Sequence, residues 1–378
     1  MDHFFKKKLL KYKKNKIDLT LCKPNNYPQK KTYKYFIIIP SFSEKLYIKK
    51  TLESISQQEK NLLDQTLIII VINNSINNNN QIKENNYQTY KSLSKIEYSF
   101  EIIIIDCFSK EHAFSDKKSG VGMARKIGHD YCINYSNANS LFFSLDADTI
   151  IHHNYLKKII KQFNTKNFSS AVINFKHQPN NNPLIQKSIN KYEKLLKKIA
   201  YNIRLTGSPY GFVSMGSTIV CTMKAYILVG GMPVKRATED FYFLQKLAKY
   251  NQVHRIKSIL VYPSSRAEQR VHLGTGYRMS NLKTKNLFTD LSINSNAYSD
   301  LKLFFNIIEK KWNCDIKEII SSSGKKNSKL HTYLKSINFS IAFKRIQKNS
   351  LNQKQLINQF HIWFDNFKIY KFLKLHVN

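Results

Sequence analysis

The sequence predicts an α/β fold: a mostly parallel sheet covered by helices, followed by a helical C-terminal appendage. Three observations carry this prediction. From Tyr35 onward, short apolar runs alternate with segments of helical character, which is how β-α-β units read. The longest runs, around Ile37–Pro40, Leu67–Ile72 and Ile102–Ile105, have the length of buried strands and fall far short of the ~18–20 residues a membrane span needs. Beyond about residue 285 the runs give way to aromatic, basic, helix-like sequence.

Taken in order, residues 1–32 read as a basic arm, loose or helical, that ends at Pro24 and Pro28. The first strand, Phe36–Ile39, runs into Pro40-Ser41-Phe42-Ser43-Glu44, and a helical stretch continues through Ile55. A second strand, Leu67–Ile72, stops at Asn73-Asn74-Ser75 ahead of an Asn-rich loop. The third, Glu101–Asp106, precedes a polar loop and then Gly120-Val121-Gly122-Met123-Ala124-Arg125-Lys126-Ile127-Gly128, the start of a helix through Ile133. Next comes Leu141-Phe142-Phe143-Ser144-Leu145-Asp146-Ala147-Asp148, a strand that delivers two carboxylates at its end. Helical stretches are expected at Leu301–Lys311, Leu330–Ile346 and Gln355–Leu373, and no tandem repeat is visible. The expected division is an arm (1–32), an α/β domain (33–285) and a helical, basic region (286–378).

A chain of 378 residues, 42% hydrophobic, has room for two or three domains and a sizeable core. Its formal net charge of +36 admits two readings. One is a lysine-rich codon bias, which the abundance of Asn, Ile and Lys and the run Asn77–Asn80 favour; the other adds a use at an anionic membrane face or acidic glycan. Nucleic acid is disfavoured as a partner, because no zinc finger, RNA-binding aromatic pair or Gly-x-x-Gly loop accompanies the charge. The five cysteines (Cys22, Cys107, Cys132, Cys221, Cys314) show no Cys-x-x-Cys spacing, which suits reduced, mostly buried thiols in a cytosol. Lys6, Lys7 and Lys8 are not followed by an apolar core and cleavage site, so no signal peptide is expected. The expected location is therefore cytoplasmic, with peripheral contact at the inner face of a membrane left open.

Two acids alternating with one alanine, Asp146-Ala147-Asp148, stand where open α/β sheets bind ligands. Two hard oxygen donors there suit Mg²⁺ or Mn²⁺, which in turn holds a diphosphate; acidic pairs also start turns in many folds. The second signal is Thr238-Glu239-Asp240 ahead of an apolar helix. A threonine cap with acids in the first turn explains that stretch equally well. Before it stands the sharp turn Gly230-Gly231-Met232-Pro233. After it, Arg266-Ala267-Glu268-Gln269-Arg270-Val271-His272-Leu273-Gly274-Thr275-Gly276 is a loop able to wrap an anion. Of only eight arginines, five (Arg125, Arg236, Arg266, Arg270, Arg278) fall near these motifs, where a planar fork matters for phosphate.

The order of these motifs over residues 35–280 resembles a family-two glycosyltransferase with the GT-A fold. The resemblance implies inverting transfer of a sugar from a nucleotide-diphosphate donor to an acceptor hydroxyl. By position it assigns Pro40, Ser41 and Glu44 to the nucleotide base and ribose. Asn73 falls where the family often has an Asp facing the base, and Arg125 matches an arginine near base or phosphates. Asp146 is implied at the ribose or the metal shell, Asp148 as the direct cation ligand, and Arg266 and Arg270 at the donor. Asp240 matches the catalytic base, with Glu239 orienting the site. His272 is a candidate to complete the metal shell, with an ordinary loop histidine as the alternative. Acceptor contacts are placed loosely in Gly207–Met215.

The stretch Gln269-Arg270-Val271-His272-Leu273 lacks the second arginine and the tryptophan of processive synthases, so a single-transfer enzyme acting on a glycan or lipid-linked acceptor of envelope or surface glycan is expected. A sugar nucleotidyltransferase would need a glycine-rich loop where Pro40-Ser41-Phe42-Ser43-Glu44 stands. A non-catalytic polyanion binder explains the charge but not the ordered acids. A degenerate transferase that still binds donor is the remaining alternative.

Overall fold

The apolar runs become the centre of a nine-stranded sheet. The structure, a computed structural model, describes residues 3–20, 22–268, 274–282, 287–324 and 328–377. Its strands are β1 (Lys23–Pro24), β2 (Tyr35–Ser41), β3 (Thr66–Asn73), β4 (Glu101–Cys107), β5 (Leu141–Ser144), β6 (Ile150–Ile151), β7 (Ser170–Phe175), β8 (Ile219–Thr222) and β9 (His254–Tyr262). They lie in the order β1-β4-β3-β2-β5-β8-β7-β9-β6. In one half, β4, β3, β2 and β5 are parallel, with Ile38 opposite both Ile69 and Ser144. The other half is mixed: β8 runs antiparallel to β5 and to β7, while β7 and β9 are parallel. Every residue of β3 is buried, as expected for a central strand covered on both faces. Pro40 is tolerated inside β2 because the pairing with β5 has already ended at Ile38.

Helices α1 (His3–Lys16), α2 (Ile48–Ser56), α3 (Lys60–Leu63), α4 (Asn80–Leu93), α5 (Val121–Cys132), α6 (Tyr155–Lys166), α7 (Pro183–Leu205), α8 (Met223–Leu228), α9 (Glu239–Tyr250) and α10 (Thr275–Ser280) complete this part of the chain. Helix α5 lies close on β2 and β3, and Gly128 allows it: a Cβ there would come within 2.5 Å of Ile38 Cγ2. The basic N-terminal stretch is helical in its first half. Helix α1 packs on α8, burying Phe5 and Tyr12, and the Tyr12 hydroxyl donates to Asp130 Oδ1 at 2.9 Å.

The chain forms two compact units, Met1–Ile189 with Ser214–Ser280, and Asn190–Val213 with Asn281–Asn378. Residues 190–213, inside the expected α/β domain, thus group with the C-terminal helices. That second unit holds α11 (Ser295–Lys310), α12 (Ile316–Ser322), α13 (Lys329–Ser336), α14 (Phe339–Lys348), α15 (Gln353–Trp363) and α16 (Asn366–Lys374). Its core is aromatic: Phe304 meets Phe339, Phe360 and Phe364 edge-on, at centroid distances of 5.3, 5.7 and 5.7 Å. Two of the long expected helices are each broken in two. Asn338 takes a left-handed conformation (φ 53°) between α13 and α14, and Asp365 caps α16 by accepting from Lys368 N. No helix among the described residues is long and apolar enough to cross a membrane.

Candidate active site

Strands β2, β3, β4 and β5 end at one edge, and the residues that follow them build the site. The Asp-Ala-Asp sequence lies in the turn just past β5, which stops at Ser144. Leu145 N still reaches Ile38 O at 3.0 Å, and Thr149 N closes the turn on Asp146 O at 3.1 Å. Thr51 Oγ1 donates to Ala147 O at 2.8 Å and Gln178 Nε2 to Asp148 O at 2.9 Å, so the turn is held from two further elements. Its two carboxylates are thereby fixed side by side.

Each carboxylate meets its own arginine. Asp146 Oδ1 pairs with Arg125 Nη2, and Arg125 Nε reaches Glu239 Oε1 at 3.2 Å. Arg125 is only 2% exposed and sits against Gly216, where any side chain would collide with the guanidinium. Asp148 Oδ2 pairs with Arg266 Nη2 at 2.9 Å; the same nitrogen reaches Glu44 Oε1 at 2.7 Å, and Nη1 lies 3.4 Å from Glu268 Oε2. The Arg266 guanidinium stacks over Tyr47 at 4.2 Å, and the Tyr47 hydroxyl donates to Glu268 Oε1 at 3.0 Å. Burial, with repulsion from Asp146, pushes the Asp148 carboxyl up to about 6 against the pull of Arg266. Burial and the nearby Asp148 charge raise Glu44 as well.

Glu239 and Asp240 open α9 and differ in exposure. Glu239 is buried on Arg125, whereas Asp240 is half-buried and accepts from its neighbour Phe241 N, at 2.7 Å. Burial raises both carboxyls; the Asp240 charge adds to the rise at Glu239, and Arg125 opposes it at each. Thr238 makes no side-chain cap bond, so capping does not explain the Thr-Glu-Asp sequence. Instead Thr238 takes φ 66°, an unusual conformation for a β-branched residue.

Pro40, Ser41 and Asn73 lie at the same strand edge, with Ser41 and Asn73 buried. Ser41 Oγ and Asn73 Oδ1 are buried atoms with no hydrogen-bond partner among the described residues, which suits polar groups awaiting a ligand. Arg270 and His272 lie outside the described residues. The segment Gly207–Met215 straddles the boundary between the two units. Among the described residues no three His, Cys, Asp or Glu side chains gather as a metal cage.

Several residues that shape the site carry little sequence signal. Tyr47 and Glu268 box Arg266, and Gln178 and Thr51 hold the turn. Asn86 joins the Ser43 amide to the backbone of Asn73 and the side chain of Asn74. All but Glu268 are distant in sequence from the motif they support; Glu268 stands two residues from Arg266, within a stretch singled out by its charge pattern.

A parallel sheet edge with an Asp-x-Asp turn, beside a helix that starts with two acids, brings Asp146, Asp148, Glu239 and Asp240 together with Arg125 and Arg266 in one α/β domain. Residues 36–218, just under half of the chain, match the family described as glycosyl transferase family 2. The match ends before Glu239, Asp240 and Arg266. No curated protein matches the sequence. Among solved structures, S. aureus TarS 1–349 in complex with UDP-GlcNAc aligns at 12% identity and a TM-score of 0.46, over 89% of this chain and 91% of that one. The mannosyltransferase PcManGT from Pyrobaculum calidifontis, in complex with GDP-Man and Mn²⁺, aligns at 11% identity and 0.42, over 96% of each. At these values the structural likeness is too loose to carry an inference about this chain.

Proposed function

We propose that this protein is a metal-dependent, inverting, single-transfer glycosyltransferase. It moves a sugar from a nucleotide-diphosphate donor to a hydroxyl of a glycan or lipid-linked acceptor in envelope or surface glycan synthesis. The observation that carries this reading is the Arg125 bridge, which ties the Asp-Ala-Asp turn to the acid-led start of α9. Donor site and candidate base are thereby joined in one rigid arrangement.

The difference in exposure divides the work of the two acids. Asp240, half-open, is the base: it takes the proton of the acceptor hydroxyl as that oxygen attacks the anomeric carbon, and the nucleoside diphosphate leaves from the opposite face. Its raised carboxyl brings it toward the range where a base is effective near neutrality. Glu239, buried on Arg125, orients the helix start. Ser41, Asn73 and the Pro40 turn receive the nucleotide base and ribose.

Asp146 and Asp148 suit a divalent cation, Mg²⁺ or Mn²⁺, of the kind that one or two carboxylates hold together with substrate phosphates. Burial, with repulsion from Asp146, raises Asp148, and a cation there would relieve that repulsion. When bound, such an ion would neutralise charge on the departing diphosphate.

Asp240→Asn tests the assignment. Nucleotide binding by calorimetry is expected to persist, while release of UDP or GDP from sugar nucleotides with an acceptor extract drops by a factor on the order of 10² or more. Turnover equal to wild type in the folded variant would sink the reading. The charge of +36 and the exposed side of α16, with Phe367, Tyr370 and Lys371 and the following Leu375, suit peripheral contact with an anionic bilayer. Failure to sediment with anionic liposomes at low salt would remove that part.

A further inference from the structure

Arg266 stands where the proposed reaction would need its divalent cation. Its Nη2 is 2.9 Å from Asp148 Oδ2 and 2.7 Å from Glu44 Oε1, and its Nη1 is 3.4 Å from Glu268 Oε2. The side chain is 11% exposed and its guanidinium carbon lies over the Tyr47 ring, 4.2 Å from the centroid. Three carboxylates thus share one permanent positive charge, and a guanidinium cannot yield its place by losing a proton. While Arg266 holds Asp148 Oδ2, its positive charge opposes a second cation on that carboxylate. Arg125, by contrast, is sealed behind Asp146 at 2% exposure and is not exchangeable in this way.

From this geometry we infer that Arg266 is a placeholder that couples cation binding to nucleotide binding, an inference that rests on the transferase reading above. Without nucleotide, Arg266 neutralises Asp148 and competes with a divalent ion for it. A diphosphate offers the guanidinium fork a bidentate partner of higher charge, and Arg266 turns to it and releases Asp148. Tyr47 gives the guanidinium a face to pivot on. Cation and nucleotide then arrive as a pair, each strengthening the other by the same factor, as linkage requires. The order has a use: a cation held without donor would draw stray anions into the site.

The test is Mn²⁺ binding, followed by calorimetry and by the electron paramagnetic resonance signal of free Mn²⁺, on the full chain with and without saturating UDP or GDP. Wild type is expected to bind Mn²⁺ weakly alone, and on the order of tenfold or more tightly with nucleotide. Arg266→Gln is expected to bind Mn²⁺ alone on the order of tenfold more tightly than wild type, with the nucleotide effect shrinking toward none. Arg266→Lys keeps the charge but loses the fork, and should lie between the two. If Arg266→Gln does not fold, Arg266→Lys decides alone: an undiminished nucleotide effect there overturns the inference. So does an Arg266→Gln protein whose Mn²⁺ affinity without nucleotide equals that of wild type. Wild type that binds no nucleotide, with or without Mn²⁺, overturns the transferase reading and this inference with it.

Discussion

Gly216→Ala should disable the site by pushing Arg125 out of its bridge. An ideal Cβ at Gly216 would lie 2.8 Å from Arg125 Cζ and 3.3 Å from Nε, and nearer still to Nη2. Carbon atoms in good contact sit ~3.5–4.0 Å apart, so the guanidinium must retreat by about 1 Å. It has nowhere easy to go: Asp146 and Glu239 hold it, and it is 2% exposed. Overpacking of this kind costs about 1–3 kcal/mol. A misplacement of ~1 Å at a reacting constellation costs about 10²-fold in rate. We therefore expect Gly216→Ala to lower turnover by a factor on the order of 10–10², more than its modest loss of melting temperature would suggest. Gly230→Ala is the control. Its φ of 78° strains any Cβ, but nothing lies within 4 Å of that Cβ, so it should lose stability without losing turnover per folded molecule. The assay pairs thermal unfolding with nucleotide release from the sugar nucleotide. A Gly216→Ala protein with wild-type turnover would refute the claim that the Arg125 bridge positions the reacting groups.

Two further outcomes follow, one from a strained residue and one from a buried one. Thr238→Gly relieves a left-handed φ of 66° and should raise stability by about 1 kcal/mol, while the looser start of α9 lowers turnover; a lowered melting temperature would contradict this. His129 is sealed between Arg125 O at 2.7 Å and Ser144 Oγ at 3.3 Å, and burial, aided by the positive charges of Arg125 and Lys126, pushes it down to about 3. The unfolded chain takes up that proton first, so the contribution of His129 is constant above its ordinary value of 6.5 and stability is lost below it, by about 1.4 kcal/mol per pH unit down to about 3. Urea midpoints of wild type and His129→Gln, compared from neutral pH to pH 4, should converge as pH falls; parallel curves would show that His129 is not held neutral.

The parallel half of the sheet was legible because each of its strands is an unbroken apolar run, a pattern that only two-sided burial produces. The other half was not. Strand β9 alternates buried and exposed residues irregularly, with a register shift against β7 at Asn174, and β8 is only four residues long. Helix α7 carries a long amphipathic pattern, but nothing local says that its two ends belong to different units. The breaks at Asn338 and Asp365 were hidden inside stretches whose apolar spacing continues across them, since each break needs only one residue with a suitable conformation or cap.

In the site, acids were easier to find than the groups that hold them. Asp146, Asp148, Glu239 and Asp240 stand in short motifs, whereas their partners are set by the fold: Arg125 lies 114 residues from Glu239, and Arg266 lies 222 from Glu44. That separation also explains why arginine rather than lysine marks both places in a chain so rich in lysine. A flexible ammonium can neutralise one carboxylate, but a planar fork can fix the distance between two. At Arg125 the fork joins Asp146 to Glu239 with the guanidinium itself closed off from solvent. At Arg266 it joins Glu44 to Asp148 near the surface, where a phosphate can outbid either acid. One arginine is therefore a strut and the other an exchangeable partner, and the difference between them is burial rather than chemistry.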